Sequence, residues 1–231
     1  DEHLALLPPR YALGASPELI ARQILLARRA VQGSPAVAFV PVPEQGYTVL
    51  LLCCPDTRGL FARMAGTLAA LEVNILGARL DTRADGMAVD MFWISTTRGD
   101  VIDDPARLRR IGNTLEGVLQ GTISFADVVA RINARPLAPA TKGPKLSLNN
   151  EISDHCTVLE ILAEDRLGLA YSMASCLTQM GLNIVFAKLA TEKTMAFDVF
   201  YLTDEAGGKL PSERWGTVLA ALEGALHLPP R

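Results

Sequence analysis

The chain repeats itself at a fixed offset. DTRGLFARMAGTLAALEVN (residues 56–74) aligns without a gap with DRLGLAYSMASCLTQMGLN (residues 165–183), 109 positions downstream. Gly59 meets Gly168, Leu60 meets Leu169, Met64 meets Met173 and Leu68 meets Leu177. Asn74 and Ile75 meet Asn183 and Ile184, Ala78 meets Ala187, and Thr82 meets Thr191. After one residue is lost in a loop, DMFWIST (90–96) meets DVFYLTD (198–204). Self-similarity at one offset marks a duplicated structural unit, so the two halves must share a fold.

Each copy has the same grammar. A β-branched apolar run opens it, YTVLLLCC (47–54) or TVLEILAE (157–164), and reads as a strand. A helix follows, with apolar positions Leu60, Met64, Leu68 and Leu71 in one copy and Leu169, Met173, Leu177 and Met180 in the other. The spacings of four, four and three place each set on one helical face. Asp56 or Thr57, and Asp165, read as caps for these helices, and Gly181 as a stop. Two strands come next, over 73–82 and 87–96 with a turn at Ala84, Asp85 and Gly86, and over 182–191 and 195–203. A second helix closes each copy, over 105–119 behind Asp103 and Asp104, and over 212–226 with Ser212 as its N-cap.

That order, β-α-β-β-α, is one strand short of a ferredoxin-like unit. Short extended runs lie upstream of each copy, AVAFVPV (36–42) and KLSLN (145–149), and they too match at the same offset. A hairpin through Pro43, Glu44, Gln45 and Gly46 would bring the upstream strand beside the first strand, in the vacant place. The expected fold is α+β, with two permuted units, β-β-α-β-β-α, each a four-stranded antiparallel sheet with two helices on one face. The expected boundaries are an N-terminal helical segment over 1–34, a first unit over 35–121, a helix and linker over 122–143, and a second unit over 144–231. In the first segment, Ser16, Pro17 and Glu18 open a helix to about Gln32, stopped by Gly33, and ARRA (27–30) is its solvated end. Phe125, Val128, Val129 and Ile132 mark the connecting helix, and RPLAPATKGP (135–144) the linker.

Composition narrows the function classes. A net charge of −3 over 231 residues gives no electrostatic footprint for nucleic acid. No run of eighteen apolar residues offers a membrane span, and DEHLALLPPR lacks the form of a signal peptide. The chain opens without Met, as part of a longer protein would, and a cytoplasmic setting is expected. Cys53, Cys54, Cys156 and Cys176 form no C-x-x-C pair and read as small buried residues. His3, His155 and His227 are scattered, so no metal is expected. No Ser/His/Asp set, phosphate loop or H-x-x-x-H is present, and neither a catalytic site nor a cofactor is expected in this chain.

The repeated strand-to-helix turn carries the binding chemistry. A helix start offers free N–H groups and partial positive charge. Gly59 and Gly168 let a ligand approach the backbone, which suits a carboxylate. Asp56 and Asp165 can accept from an ammonium, and Asn74 and Asn183 can read a carboxylate or carboxamide. The candidate ligand-binding residues are Asp56, Arg58, Gly59, Leu60, Asn74 and Ile75 in the first copy, and Asp165, Arg166, Leu167, Gly168, Leu169, Asn183 and Ile184 in the second. Asp165 and Asn183 are expected to share one site, and a free α-amino acid is the expected ligand.

The pattern D-x-x-G-L, a helix, LNI, an Ala, a Thr and a strand ending DVFYLTD resembles the ACT domain, a small βαββαβ regulatory module. A closer resemblance is to the C-terminal tandem ACT region of the bifunctional PII uridylyltransferase/uridylyl-removing enzymes. It rests on the second copy, on NNEISDHCTVLEILAEDR (149–166) before it, and on LLPPRYALGASPELIARQI (6–24) before the first. The resemblance implies a glutamine-sensing regulatory region in nitrogen metabolism, acting on catalytic domains N-terminal to it, and possible homodimers through ACT sheets. ACT turns often read D-R-P-G-L, whereas Arg58 and Leu167 stand at the proline position here. Two other readings compete. One is a stand-alone two-ACT regulator of the glycine-cleavage repressor kind. The other is an acylphosphatase-like enzyme using Arg166 and Asn183.

Overall fold

The computed structural model describes residues 2–8, 11, 16–30, 34–133 and 143–227. The linker expected over 135–144 falls almost wholly outside them, as do Gln32 and the expected helix stop at Gly33. Helices α1 (Glu2–Ala5) and α2 (Pro17–Ala30) precede the first copy, in which β1 (Ala36–Val42) turns through the 3-10 segment Pro43–Gln45 into β2 (Tyr47–Pro55). Helix α3 (Leu60–Ala70), strands β3 (Val73–Arg79) and β4 (Met87–Thr96) and helix α4 (Pro105–Gln120) follow. After α5 (Phe125–Asn133), the second copy runs β5 (Lys145–Asn149), β6 (Thr157–Glu164), α6 (Leu169–Gln179), β7 (Asn183–Glu192), β8 (Met195–Thr203) and α7 (Trp215–His227). The permuted order β-β-α-β-β-α holds in both copies. Among the described residues no helix is long and apolar enough to cross a membrane.

The two sheets are one. Eight strands lie in the order β1-β2-β4-β3-β7-β8-β6-β5, and every neighbouring pair is antiparallel. The join is β3 against β7, with Gly77 opposite Lys188, Ala78 opposite Ala187 and Arg79 opposite Phe186. Ala78 and Ala187 are repeat equivalents, so each pairs with its own counterpart and a local two-fold axis passes between them. Both are fully buried. A close approach is needed here: a Cβ on Gly77 would stand 3.3 Å from the Trp93 ring.

Helices α3, α4, α6 and α7 share one face of this sheet. Their apolar stripes meet Leu50, Leu52, Phe92 and Ile94 in one copy and Leu159, Ile161, Phe200 and Leu202 in the other. Phe61 of α3 stacks on Phe92 and meets Phe200 of the other copy edge-on, with centroids 6.0 and 6.4 Å away. Helix α5 lies over α3 and reaches Tyr171 of α6 through Phe125, 5.7 Å between ring centroids. Gly66 makes room for it: a Cβ there would lie 2.9 Å from both Phe125 and Val129. The equivalent position in the second copy, where no such helix lies, is Ser175.

The two helices of each unit lie on one face, as expected, and the N-terminal segment adds a layer on the other. In the first copy this other face is covered by α2, whose Leu26, Ala27 and Ala30 pack on Val49, Leu51, Cys53, Val89 and Met91. Cys53 and Cys54 thus point to opposite faces, each in its own core cluster. Arg79 lies over the Tyr11 ring, 5.4 Å from its centroid, and pairs with buried Asp81 at 2.8 Å. Tyr11 donates to Gln23 of α2. In the second copy the same face carries half-buried Val199 and Tyr201 and exposed Phe197.

Helix ends also correct the sequence reading. Asp104 caps α4 as its sequence suggests, accepting from Arg107 N at 2.8 Å. Ser212 does not cap α7: residues Ser212–Arg214 form a 3-10 turn and the helix proper starts at Trp215. Neither Asp56, Thr57 nor Asp165 caps its helix. The N-cap residues are Gly59 and Gly168, at φ 76° and 83°, with no side-chain capping bond. Only glycine adopts that left-handed backbone at little cost.

Replacing Gly66 by Leu should displace α5 and lower stability by about 1–3 kcal/mol in denaturant unfolding, the usual range for overpacking. Leu26→Ala should cost about 2–5 kcal/mol by the same measurement, because it opens a cavity under α2.

Candidate functional site

Each repeated turn borders a cavity, and each cavity takes its other wall from the other copy. The first, about 720 Å³, is lined by Asp56, Arg58, Gly59 and Leu60 together with Asn183 and Ile184. The second, about 520 Å³, is lined by Asp165, Arg166, Leu167, Gly168 and Leu169 together with Asn74 and Ile75. All the candidate residues therefore line one cavity or the other, but the pairing is crossed. Asp165 and Asn183 do not share a site. Within one copy the turn lies at one end of α6 and Asn183 at the other. A helix of 11 residues separates them, about 16 Å at 1.5 Å per residue. The two-fold relation between copies sets the N-terminal end of α3 against the C-terminal end of α6, and so brings Asp56 to Asn183 and Asp165 to Asn74.

Crossing also separates Arg166 from Asn183, so the acylphosphatase-like pair is not assembled. Arg166 donates to the Ala225 carbonyl of α7 at 3.2 Å. Arg58 donates to the Thr178 carbonyl at the end of α6 at 2.8 Å and pairs with Glu205 at 3.0 Å. That pair is largely exposed and contributes little. Its carbonyl contact still ties the turn of one copy to a helix end of the other, where a cation is favourable.

Since the turn aspartates do not cap helices, their carboxylates stay at the cavity rim. Asp56 accepts from Thr82 Oγ1 at 2.6 Å and Asp165 from Thr191 Oγ1 at 2.8 Å, one bond repeated in both copies. Gly59 and Gly168 lie in the cavity walls beside Leu60 and Leu169, the first residues of α3 and α6. Asn183 donates to the Asp204 carbonyl at 3.2 Å and lines the first cavity.

Three further features lay in the repeat without being read as site features. Strand β3 bulges between Ile75 and Gly77, and β7 between Ile184 and Phe186. The bulged residues, Leu76 and Val185, line the second and first cavities. A bulge re-aims the backbone and is common beside functional sites. Thr82 and Thr191 line the cavities through their bonds to the turns. Asp90 of β4 and Asp198 of β8 lie deeper, 3% and 4% exposed, and line the first and second cavities. Burial raises the Asp90 carboxyl well above the usual range, helped by Asp56 and Asp81, while a backbone N–H bond from Asp81 opposes this. Burial likewise pushes Asp198 up to about 7; the N–H of Ala190 opposes it and Asp165 adds to it. An aspartate inside an apolar strand at the same place in AVDMFW and AFDVFY was the legible signal.

Residues 48–116, in the first copy, match the ACT domain family. The chain is 32% identical over 216 residues to a bifunctional uridylyltransferase/uridylyl-removing enzyme of Gluconobacter oxydans, covering 91% of this chain and 23% of that protein. It is 31% identical over 234 residues to the protein of that name in Rhodospirillum rubrum, covering 98% of this chain and 25% of that protein. Among solved structures, aspartate kinase from Synechocystis is similar at a TM-score of 0.43 and 16% identity, over 78% of this chain and 26% of that one. The chain thus spans about a quarter of the length of the curated relatives it matches. Its first copy matches the ACT-domain family, and the chain is a relative, along almost all of its own length, of the bifunctional uridylyltransferase/uridylyl-removing enzymes.

Proposed function

We propose that this chain is the amino-acid-sensing regulatory region of a PII uridylyltransferase/uridylyl-removing enzyme, with glutamine as its ligand, acting in the cytoplasm in nitrogen control. Its units are two ACT domains, over 35–121 and 144–231, with 1–34 and 122–143 as accessory segments. Its partners are catalytic domains N-terminal to it. One observation carries the reading: in each cavity an aspartate and a glycine turn at a helix start face an asparagine from the other copy. The aspartate suits an α-ammonium, the helix start an α-carboxylate, and the asparagine a side-chain carboxamide. Cavities of this size hold a small ligand with room for ordered water. Because both copies wall each site, a bound amino acid bridges them, and its binding energy can bias how they sit against each other.

A thermal-shift screen of the full chain against the twenty amino acids tests this, followed by calorimetric titration with glutamine. A true ligand at a hundredfold excess over Kd stabilises by about 2.7 kcal/mol, a readable rise in Tm. No shift with any amino acid would overturn the reading. The crossed geometry makes a second, sharper prediction. Asp165→Ala and Asn74→Ala should weaken the same binding event, and Asp56→Ala and Asn183→Ala the other. Each should cost roughly tenfold or more in affinity, as loss of a hydrogen bond to a charged group does.

A further inference from the structure

The geometry points to Asp90 and Asp198 as the groups that receive a ligand's ammonium at the floor of the two sites, each releasing a proton to solvent as the cation arrives. The inference rests on the reading that an amine-bearing ligand enters these cavities, and it adds the group that fixes the ligand's charge.

The fold has no use for either carboxyl. Asp90 sits between Ala88 and Phe92, and Asp198 between Ala196 and Phe200, on the helix-covered face of the sheet, where apolar residues form the core. An ionised carboxylate in such a place is expensive unless it is paired. Among the described residues neither makes an ion pair. Each accepts one backbone N–H, from Asp81 or Ala190, which leaves most of the acceptor capacity of a carboxylate unused. The copies differ nearby, with Arg79 and Asp81 in one against Lys188 and Ala190 in the other, yet both keep the strand aspartate. Both also keep a second carboxylate, Asp56 or Asp165, at the rim above it.

With the cavity empty the strand carboxyl tends to keep its proton, because burial and the rim carboxylate both disfavour its charge. An entering ammonium replaces that proton. The strand carboxyl goes from COOH to COO⁻, its proton passes to solvent, and the N–H groups of the ligand fill the vacant acceptor sites. The other charged groups lining the second cavity are Arg98, Arg166 and Lys193, and in the first Arg58 and Glu205. Affinity at the second site therefore rises with pH up to about 7, where Asp198 ionises unaided, at roughly tenfold per pH unit below that point.

The test is carbon NMR of the full chain labelled at aspartate Cγ, with the Asp198 signal assigned by its loss in Asp198→Asn. The apparent pKa of Asp198 is followed with no additive, with L-glutamine, and in 100 mM methylammonium chloride against 100 mM sodium chloride. A fall on adding glutamine, and a smaller one with methylammonium, is expected. If glutamine binds by calorimetry and the pKa does not move, the inference is overturned while the amino-acid reading stands. If no amino acid binds, that reading fails, and methylammonium decides: a fall supports the carboxyl as an ammonium receptor, and no change overturns it. The variant supplies an independent check. A carboxyl raised in the folded state disfavours folding once ionised, so wild type should lose Tm relative to Asp198→Asn between pH 5 and pH 8. A constant difference across that range would also count against it.

Discussion

The pairing of β3 with β7 about Ala78 and Ala187 is the contact on which the rest of the structure depends. Each unit alone would expose β3 or β7 as an open edge, with unpaired N–H and C=O groups inviting association. Joining the two edges removes both and leaves β1 and β5 as the rims. Those rims are poor templates: β1 carries Pro41, and β5 is only five residues long and begins with Lys145. The same pairing lays α3 and α6 side by side in opposite directions, so each turn meets the far end of the other copy's helix. Fold and site are consequences of one antiparallel register.

Much of this was legible in the sequence. The repeat gave the strand order of each unit, the hairpin through Pro43–Gln45 supplied the permuted strand, and Leu60, Met64 and Leu68 marked a helix face. The crossing was not legible, because no single copy encodes how it meets the other, but part of the error was avoidable. A turn and an asparagine at opposite ends of an 11-residue helix cannot meet within one unit. The covering of both faces of β2 was also written in its residues. VLLLCC is apolar without alternation, as a strand buried on both sides is, whereas TVLEILAE places Glu160 on a face that stays open. The helix caps misled because aspartate before a helix is usually a cap. Here glycine in the left-handed conformation takes that place and leaves the carboxylate to a threonine.

The two copies have diverged beneath the two cavities. At the first site Asp90 accepts from the backbone of Asp81, whose side chain pairs with Arg79 under the Tyr11 ring, and Tyr11 bonds Gln23 of α2. Pro8 lines the same cavity. A run of contacts thus leads from the floor of the first site to the N-terminal layer. The second copy has Lys188 and Ala190 at the corresponding positions, and its strand carboxyl leans on Ala190 alone. The pseudo-symmetry covers the cavity walls but not the support beneath them.

Shared walls also set what heredity can do with such a chain. A duplicated unit usually frees one copy to decay while the other keeps working. Here a change in either turn alters one cavity and spares the other, but losing a whole half removes a wall of both. Separately expressed halves would enclose neither cavity until they reassociated. The duplication has therefore created no spare: it has made permanent, in a single polypeptide, a partnership that two separate chains would have to find by diffusion.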